Sequence, residues 1–377
     1  MNFRRTRAVG RKEFLHIIRD ASSLMLALLL PFMMLILFGY ALSLDVDQIP
    51  TIVYDRDHTP ESRDLIRQFT GSRYFQVIAV ANNYSDIDRS IDRSRALLAI
   101  VIPETYSKDL IGGRGAQVQL ILDGSDSNTA SIALGYADAL VQAYAVQLRS
   151  DAQVQKGAGK LSTPVEPRIR VWYNNDLVSR NYIVPGLIAV ILMIIASLLT
   201  SLTIAREWET GTMEQLLSTP VRPTELVLGK LSAYFVLGVA DMLICLVVGV
   251  YIFDVPLKGS VLLLLFSSCL FLFGSLCWGI FLSATTRSQL IAYQFGTLTS
   301  FLPAFLLSGF IYSIQNMPVA IQVVTYIVPA RYFVTILKTI FLKGAGIDVL
   351  WAELSFLFLY AVFVFVFASR KLRQKIA

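Results

Sequence analysis

The stretch that decides the fold is residues 181–205, NYIVPGLIAVILMIIASLLTSLTIA, which contain no acidic or basic side chain. An α-helix needs about 20 such residues to cross the hydrocarbon of a bilayer. Four further runs are predominantly apolar and have a similar length: 21–44, 231–253, 259–286 and 347–369. The chain is therefore predicted to be an α-helical membrane protein.

The overall composition supports this prediction. Of the 377 residues 55% are hydrophobic and only 16% are charged, whereas about a quarter of a soluble protein is charged. This composition argues against a soluble enzyme. The first run, 21–44, follows basic residues as a secretory signal does, but it is longer than the 7–15 or so residues of a signal core. We predict that it is an uncleaved span.

Residues 288–330 form a charge-free stretch of 43 residues, which is too long for one span. A polar cluster at Ser313, Gln315 and Asn316 divides it into a piece of spanning length and a piece, 317–330, of 14 residues. A segment of that length suits a re-entrant or interfacial position. We predict six spans and a re-entrant region over 313–346; the distribution of charge leaves a seven-span alternative open.

Basic residues concentrate at the two ends of the chain. Residues 1–20 carry six Lys or Arg against two acids, and residues 370–377 carry four against none. Because cytoplasmic flanks are rich in Lys and Arg, both termini are predicted to be cytoplasmic. Residues 1–20 suit an amphipathic helix at the inner surface, although a plain topology signal remains an alternative. The basic excess lies beside membrane segments, so no nucleic-acid partner is expected.

This topology places residues 45–181 outside the membrane. Short β-rich runs alternate there with polar helical runs, which favours an α/β domain with a largely parallel sheet. The predicted strands are 49–54, 75–80, 97–102, 118–122 and 169–173. The predicted helices are 61–69, 84–95, 104–111 and 128–155.

No residues that would perform catalysis or hold a metal are recognisable. The chain has two histidines and three cysteines, and none forms a cluster with metal-ligand spacing. Gly159-Lys160 and Gly229-Lys230 lack the other residues of a phosphate-binding loop. We predict no catalytic residue, no metal and no cofactor in this chain.

Asp241 is the one acid in the middle of a predicted span, where a carboxylate is costly and usually faces a partner, a cavity or water. A substrate or proton role and a structural hydrogen bond are both open. With the helix-breaking residues Pro303, Pro318 and Pro329, it forms our set of translocation-path candidates.

The loop after the second span, residues 206–220, reads REWETGTMEQLLSTP. It predicts a short helix that Thr212 caps and that Pro220 and Pro223 end, with Met213, Leu216 and Leu217 on one side. Acidic residues beside such an apolar side favour docking of a soluble partner, while a plain interfacial helix is the alternative.

This run, R-E-x-E-x-G-T-x-E-x-L-L-x-T-P, resembles the coupling segment of ABC-2 type transporter permeases, in particular bacterial multidrug exporters with a large periplasmic domain after the first span. The stretches from 101–103 to 128–130 and from 317–318 to 329–333 agree with the same family. The resemblance implies a permease that dimerises and binds a separate ATP-binding cassette subunit. The implied coupling residues are Arg206, Glu207, Glu209, Gly211, Thr212, Glu214, Leu216 and Leu217.

The resulting hypothesis is an exporter of amphipathic or hydrophobic, drug-like compounds in the bacterial inner membrane. ATP and Mg²⁺ would bind the cassette subunit, a second permease would complete the pore, and a periplasmic membrane-fusion adaptor is a further expected partner. An ion-coupled secondary transporter and a multispan receptor or adhesion protein are the alternatives. The predicted organisation is a cytoplasmic helix 1–20, a span 21–44, an outer domain 45–181, a five-helix membrane domain 182–369 with a coupling loop 206–225, and a basic tail 370–377.

Overall fold

A computed structural model of the chain describes residues 2–42, 47–113, 115–155, 173 and 178–376. The chain divides into two compact units. The helical unit comprises Met1–Ser43 and Val171–Ala377, and the sheet unit comprises Leu44–Arg170.

The helical unit begins with α1 (Phe3–Arg19) and α2 (Ala21–Ala41). Asn2 caps α1 by accepting a hydrogen bond from the backbone N–H of Arg4 at 3.1 Å. One face of α1 is buried, through Val9, Gly10 and Glu13. The predicted amphipathic helix therefore forms, and its buried face carries an acid.

The sheet unit has four strands in the order β2-β1-β3-β4. The first three are parallel, and β4 is antiparallel to β3. The strands are β1 (Ile49–Asp55), β2 (Phe75–Val80), β3 (Leu98–Ile102) and β4 (Gln119–Leu122). The helices are α3 (Pro60–Gly71), α4 (Tyr84–Asp92), α5 (Tyr106–Ile111) and α6 (Ser127–Gln155).

The sheet lies close to its prediction because its central strands, β1 and β3, are rich in apolar, buried residues. Every residue of β3 is buried, as expected for a parallel strand covered on both faces. The four observed strands begin within one residue of their predicted positions. The fifth predicted strand, 169–173, lies outside the described residues except for Tyr173.

The helical unit continues after residue 178 with eight helices. They are α7 (Ser179–Glu209), α8 (Thr212–Leu217), α9 (Pro223–Val247), α10 (Val261–Thr286), α11 (Gln289–Leu306), α12 (Val319–Thr325), α13 (Pro329–Lys338) and α14 (Ile347–Ile376). Helices α9 and α13 end in π-helical turns, Val248–Ile252 and Thr339–Lys343.

Helix α7 is the centre of the helical unit, and every residue from 183 to 197 is buried. It approaches α10 closely because Gly279 of α10 has no side chain: a Cβ there would lie 2.6 Å from the carbonyl oxygen of Ser197. The Thr200 hydroxyl donates to the Leu276 carbonyl at 2.9 Å. Near the end of α7, the Ser283 hydroxyl accepts from the N–H groups of Ile204 and Ala205, both at 2.9 Å.

Four helical segments are long and apolar enough to cross a bilayer: Ser179–Glu209, Pro223–Ile252, Val261–Thr286 and Ile347–Leu372. A fifth span is possible if Val319–Thr325 and Pro329–Lys343, which meet at a bend of 85°, count as one. These segments confirm a helical membrane protein. The count of six spans stays a prediction.

The fifth predicted span differs most from the structure, whereas α2 covers residues 21–41 of the first predicted span, 21–44. Helix α11 ends at Leu306 instead of continuing to residue 312, because the chain turns at Gly309, whose φ of +77° is left-handed. The 85° bend lies within the predicted re-entrant region, 313–346.

Candidate coupling site at the base of α7

Helix α8 follows α7 through a sharp turn at Gly211, whose φ is +72°. Gly211 is the residue before the helix, so it takes the capping position that the sequence had assigned to Thr212. A left-handed backbone suits glycine and strains a residue with a side chain. Met213 is completely buried in the helical unit, whereas Glu214 and Gln215 are exposed. The short helix is thus fixed by its apolar side and presents its polar side.

Four charged side chains, Lys12, Glu13, Glu207 and Lys230, meet beside this turn; we call them the ion cluster. Lys230 Nζ lies 3.0 Å from Glu13 Oε1 and 3.0 Å from Glu207 Oε1. Lys12 Nζ lies 3.1 Å from Glu207 Oε1 and 3.6 Å from Glu13 Oε1. The cluster therefore joins three separate helices, α1, α7 and α9.

Three members of the ion cluster are buried. The exposed fraction is 1% for Lys230, 5% for Glu13 and 7% for Glu207. A buried charge is tolerated when opposite charges and hydrogen bonds compensate the loss of water. Lys230 is the residue on which this compensation depends, because it contacts both buried carboxylates.

A close backbone approach allows α1 to reach α9. A Cβ on Gly229 would lie 2.6 Å from Cβ of Val9, so only glycine fits this position without displacing α1. Contacts at the start of α1 add to this docking. The N–H of Asn2 donates to Glu225 Oε1 at 2.6 Å, and the Arg5 guanidinium donates to the Pro220 carbonyl.

The predicted coupling residues separate into two groups. Glu207 is buried in the ion cluster. Arg206, Glu209, Thr212 and Glu214 are exposed, and Glu209 accepts from the backbone N–H of Gln289 at 2.7 Å.

Leu216 is half-buried, and the side chain of Leu217 lies outside the described residues. These positions thus lie on the last turn of α7, at the turn formed by Gly211, and on α8. Only part of the set is available to a partner.

The ion cluster includes three residues, Lys12, Glu13 and Lys230, that our sequence analysis did not select. Glu13 carries a recognisable signal, because it follows Val9 by one helical turn on the face that is otherwise apolar. Lys230 lies next to the predicted span 231–253, where a basic residue is normally interpreted as a topology signal. Their pairing depends on contacts between residues about 200 positions apart.

The translocation-path candidates lie on four different segments of the helical unit. Asp241 is fully buried in α9, and neither of its carboxyl oxygens has a hydrogen-bond partner among the described residues. Pro303 lies within α11, Pro318 precedes α12, and Pro329 is the first residue of α13.

The loop between α11 and α12 is tied to two helices at Gly309. The Gly309 carbonyl accepts hydrogen bonds from the Tyr182 hydroxyl at 3.2 Å and from Lys338 Nζ at 2.9 Å. Lys338 Nζ also lies 3.3 Å from the centre of the Tyr182 ring. Tyr182 belongs to α7, so this contact and the ion cluster lie near opposite ends of the same helix.

Docking of α1 is expected to depend on pH. Burial alone would raise the pKa of Glu13, but Lys230 and Lys12 lower it below its ordinary value of 4.5. For Lys12, burial opposes the charge, yet Glu207 and Glu13 raise its pKa above 10.5. Glu13 therefore stabilises the docked state above the ordinary glutamate pKa and loses this contribution as the pH falls through its lowered pKa. Lys12 contributes below its ordinary pKa and loses this contribution as the pH rises through the raised value.

The measurement is the distance between spin labels at Arg11→Cys and Val236→Cys, two exposed positions on α1 and α9, in a protein whose three native cysteines are replaced by serine. We expect a constant distance between about pH 5 and 10 and a longer one in stronger acid. Adding Glu13→Gln removes one titrating carboxylate and should weaken the acid transition. An unchanged distance throughout an acid titration carried well below the ordinary glutamate pKa would contradict this prediction.

Comparisons with known proteins agree with the resemblance found in the sequence. The profile of the family described as ABC-2 family transporter protein matches residues 21–370. The chain is 37% identical over 364 residues to the probable multidrug ABC transporter permease YbhS of Escherichia coli K12, covering 96% of this chain and 95% of that protein. It is 32% identical over 352 residues to the probable multidrug ABC transporter permease YbhR of the same organism, covering 93% and 94%. Identity to its inner membrane transport permease YhhJ is 27% over 320 residues, covering 83% and 81%. The predicted family is confirmed: this chain belongs to the ABC-2 transporter family and is a membrane permease.

Proposed function

We propose that this chain is the membrane subunit of an ATP-driven exporter whose ATP is hydrolysed by a separate cassette subunit. The observation that carries the proposal is the arrangement of α8. Its buried Met213 fixes it to the helical unit, while exposed Glu214 and Gln215 face away from that unit. A soluble partner that binds the exposed side would therefore move the base of α7.

The ion cluster would transmit a movement of α8 from α7 to two further helices. Glu207, near the end of α7, contacts Lys12 of α1 and Lys230 of α9. A force on α8 thus acts on three helices together. ATP-driven closure of the cassette subunits can shift the permease between inward-open and outward-open states only if their contacts with α8 differ in the two states.

The outer end of the path is closed, in this proposal, by the loop that Gly309 ties to Tyr182 and Lys338. The translocation path, or the helix breaks that let it open, would contain Asp241, Pro303, Pro318 and Pro329. The cargo is an amphipathic or hydrophobic compound taken from the cytoplasm or the inner leaflet. The sheet unit lies on the outer side and guides cargo or contacts a periplasmic adaptor.

The full assembly contains two permeases, identical or related, and bound ATP and Mg²⁺ in the cassette subunits. Six spans in the bacterial inner membrane, with both termini in the cytoplasm, complete the proposal. The names of the relatives support it, because YbhS and YbhR are described as permeases of multidrug ABC transporters.

The test is co-expression of the chain with each cassette ATPase encoded near its gene. We expect one of them to co-purify and its ATPase activity to change in the complex, while the permease alone hydrolyses no ATP. Uptake of a fluorescent amphiphile into inverted vesicles should require ATP and persist when the proton gradient is collapsed. Transport that follows the proton gradient instead would refute the proposal in favour of a secondary transporter.

A further inference from the structure

Two side chains on the last turn of α7 reach the connection between α10 and α11. Helix α10 ends at Thr286 and α11 begins at Gln289, so only Arg287 and Ser288 lie between them. Arg287 has a left-handed φ of +61°, which is uncommon for a residue with a side chain and here marks a sharp change of direction. We call these two residues the α10–α11 turn.

Glu209 satisfies the start of α11. The first N–H groups of an α-helix have no partner within the helix, and a side chain just before it usually accepts from one of them. Within the described part of the chain, the Ser288 side chain makes no such capping hydrogen bond. Instead, Glu209 Oε1 accepts from the backbone N–H of Gln289 at 2.7 Å, and Oε2 accepts from the Gln289 side-chain amide at 2.5 Å. The first turn of α11, QLIA, contains no acid, so Glu209 also supplies the negative charge that favours a helix N-terminus.

Trp208 holds the α10–α11 turn from the same helix end. The central carbon of the Arg287 guanidinium lies 4.4 Å from the centre of the Trp208 ring, which is a cation–π contact. Trp208 and Glu209 are consecutive residues of α7. Both contacts therefore move when the end of α7 moves.

The contacts at its start have a large share in setting the direction of α11. The buried face of this helix consists of small residues at every fourth position: Ala292, Gly296, Ser300 and Ala304. Small side chains let two helices lie close together but interlock little. At 1.5 Å per residue, α11 extends about 26 Å from Gln289 to its end, so a rotation of about 10° at the α10–α11 turn displaces that end by about 4 Å. The loop that is tied at Gly309 follows directly.

We propose that Glu209 is a positioning residue, which ties the start of α11 to the end of α7, so that a movement of α8 changes the direction of α11 and displaces the loop at Gly309. In this role Glu209 acts through α11 and not by contact with the cassette subunit. The inference deepens the proposed function, and the coupling role of the tie rests on that function. The tie itself requires neither nucleotide nor a cassette subunit.

The first test measures the direction of α11 in the purified chain in nanodiscs, without a cassette subunit. Spin labels at Leu262→Cys and Leu306→Cys, in a protein whose three native cysteines are replaced by serine, mark the ends of α10 and α11 that lie away from the α10–α11 turn; both positions are exposed. We expect Glu209→Ala to broaden the distribution of distances by about 4 Å or more. A distribution equal to that of the chain with Glu209 would overturn the proposal.

The matched control is Asp348→Ala, which removes an exposed acid from the first turn of another helix, α14. It should leave the distance distribution between α10 and α11 as it is. The broadening is then specific to the acid that contacts Gln289.

A further variant separates the tie from a simple helix cap. Ser288→Asp places a carboxylate at the N-cap position of α11 itself, where aspartate is a preferred residue. Added to Glu209→Ala, it should restore the protection of the first amides of α11 against hydrogen exchange, while the distance distribution stays broad. A return of the narrow distribution would show that Glu209 only caps α11, and would overturn the proposal.

The coupling role is tested in the assembled exporter. Glu209→Ala combined with Ser288→Asp should lower the amount of fluorescent amphiphile transported per ATP hydrolysed by at least about tenfold, a loss within the usual range for coupling between two sites. A ratio equal to that of the unchanged chain would overturn this role. If no cassette subunit binds, the label distances still test the tie and only the proposed function fails; if ATP-coupled transport is shown and Glu209→Ala leaves the distances unchanged, only this inference fails.

Discussion

Replacing Lys230 with methionine is expected to lower the free energy of unfolding by about 3–5 kcal/mol, the cost of removing one partner from a buried ion pair. The substitution leaves Glu13 and Glu207, both more than nine-tenths buried, without the ammonium group that they share. Lys12 remains but is largely exposed and contacts them from one side. The measurement is thermal and denaturant unfolding in detergent, followed by the solvent exposure of α1.

The control is Lys258→Met, which removes an equal charge from an exposed position and should change stability by less than about 0.5 kcal/mol. Combining Lys230→Met with Glu13→Gln and Glu207→Gln should recover most of the loss, since a buried charge network can be replaced by neutral groups at little cost. A Lys230→Met protein as stable as the Lys258→Met control would show that the ion cluster does not stabilise the fold.

Charge reversal at Glu214 is expected to weaken binding of the cassette subunit about 100-fold, which corresponds to roughly 3 kcal/mol and lies within the range for close charge pairs at interfaces. Glu214 is exposed on α8, so Glu214→Lys should leave the stability of the isolated permease unchanged. The measurement is the dissociation constant of the co-purifying cassette subunit from immobilised nanodiscs, together with its ATPase activity.

Asp348→Lys is the matched control, because Asp348 is an exposed acid at the start of α14. It should bind the cassette subunit as the unchanged chain does. Equal affinities for Glu214→Lys and Asp348→Lys would exclude the exposed side of α8 as the docking surface and would redirect the search to other exposed residues of the helical unit.

Much of the fold could be predicted because its helices and strands follow from apolar and charged residues that are close together in the sequence. The charge-free run 181–205 predicted the central helix α7, and the apolar runs of the sheet unit predicted four strands in nearly their observed positions. The helix α8 was also expected between Thr212 and Pro220. Its N-cap was predicted wrongly, because the left-handed Gly211, and not a hydroxyl side chain, makes the turn.

The ion cluster could not be predicted, because it depends on contacts between distant residues. Glu207 looked like part of an exposed loop, yet α7 continues to Glu209, so Glu207 lies on a helix and is directed inward. Its burial requires α1 to lie against α9, and that contact requires the absence of a side chain at Gly229. No local pattern contains this information.

The tight junction of α7 with α10, at Gly279 and Ser283, has a mechanical consequence. Two helices that pack tightly against each other resist bending, so we expect α7 to tilt as a rigid rod. Glu207 and Tyr182 are about 37 Å apart on it at 1.5 Å per residue. A tilt of about 5° about one end would displace the other by about 3 Å, enough to break the 3.2 Å hydrogen bond between Tyr182 and Gly309. In the proposed mechanism, a small rotation at the Glu207 end of α7 would then suffice to break the contact at its Tyr182 end.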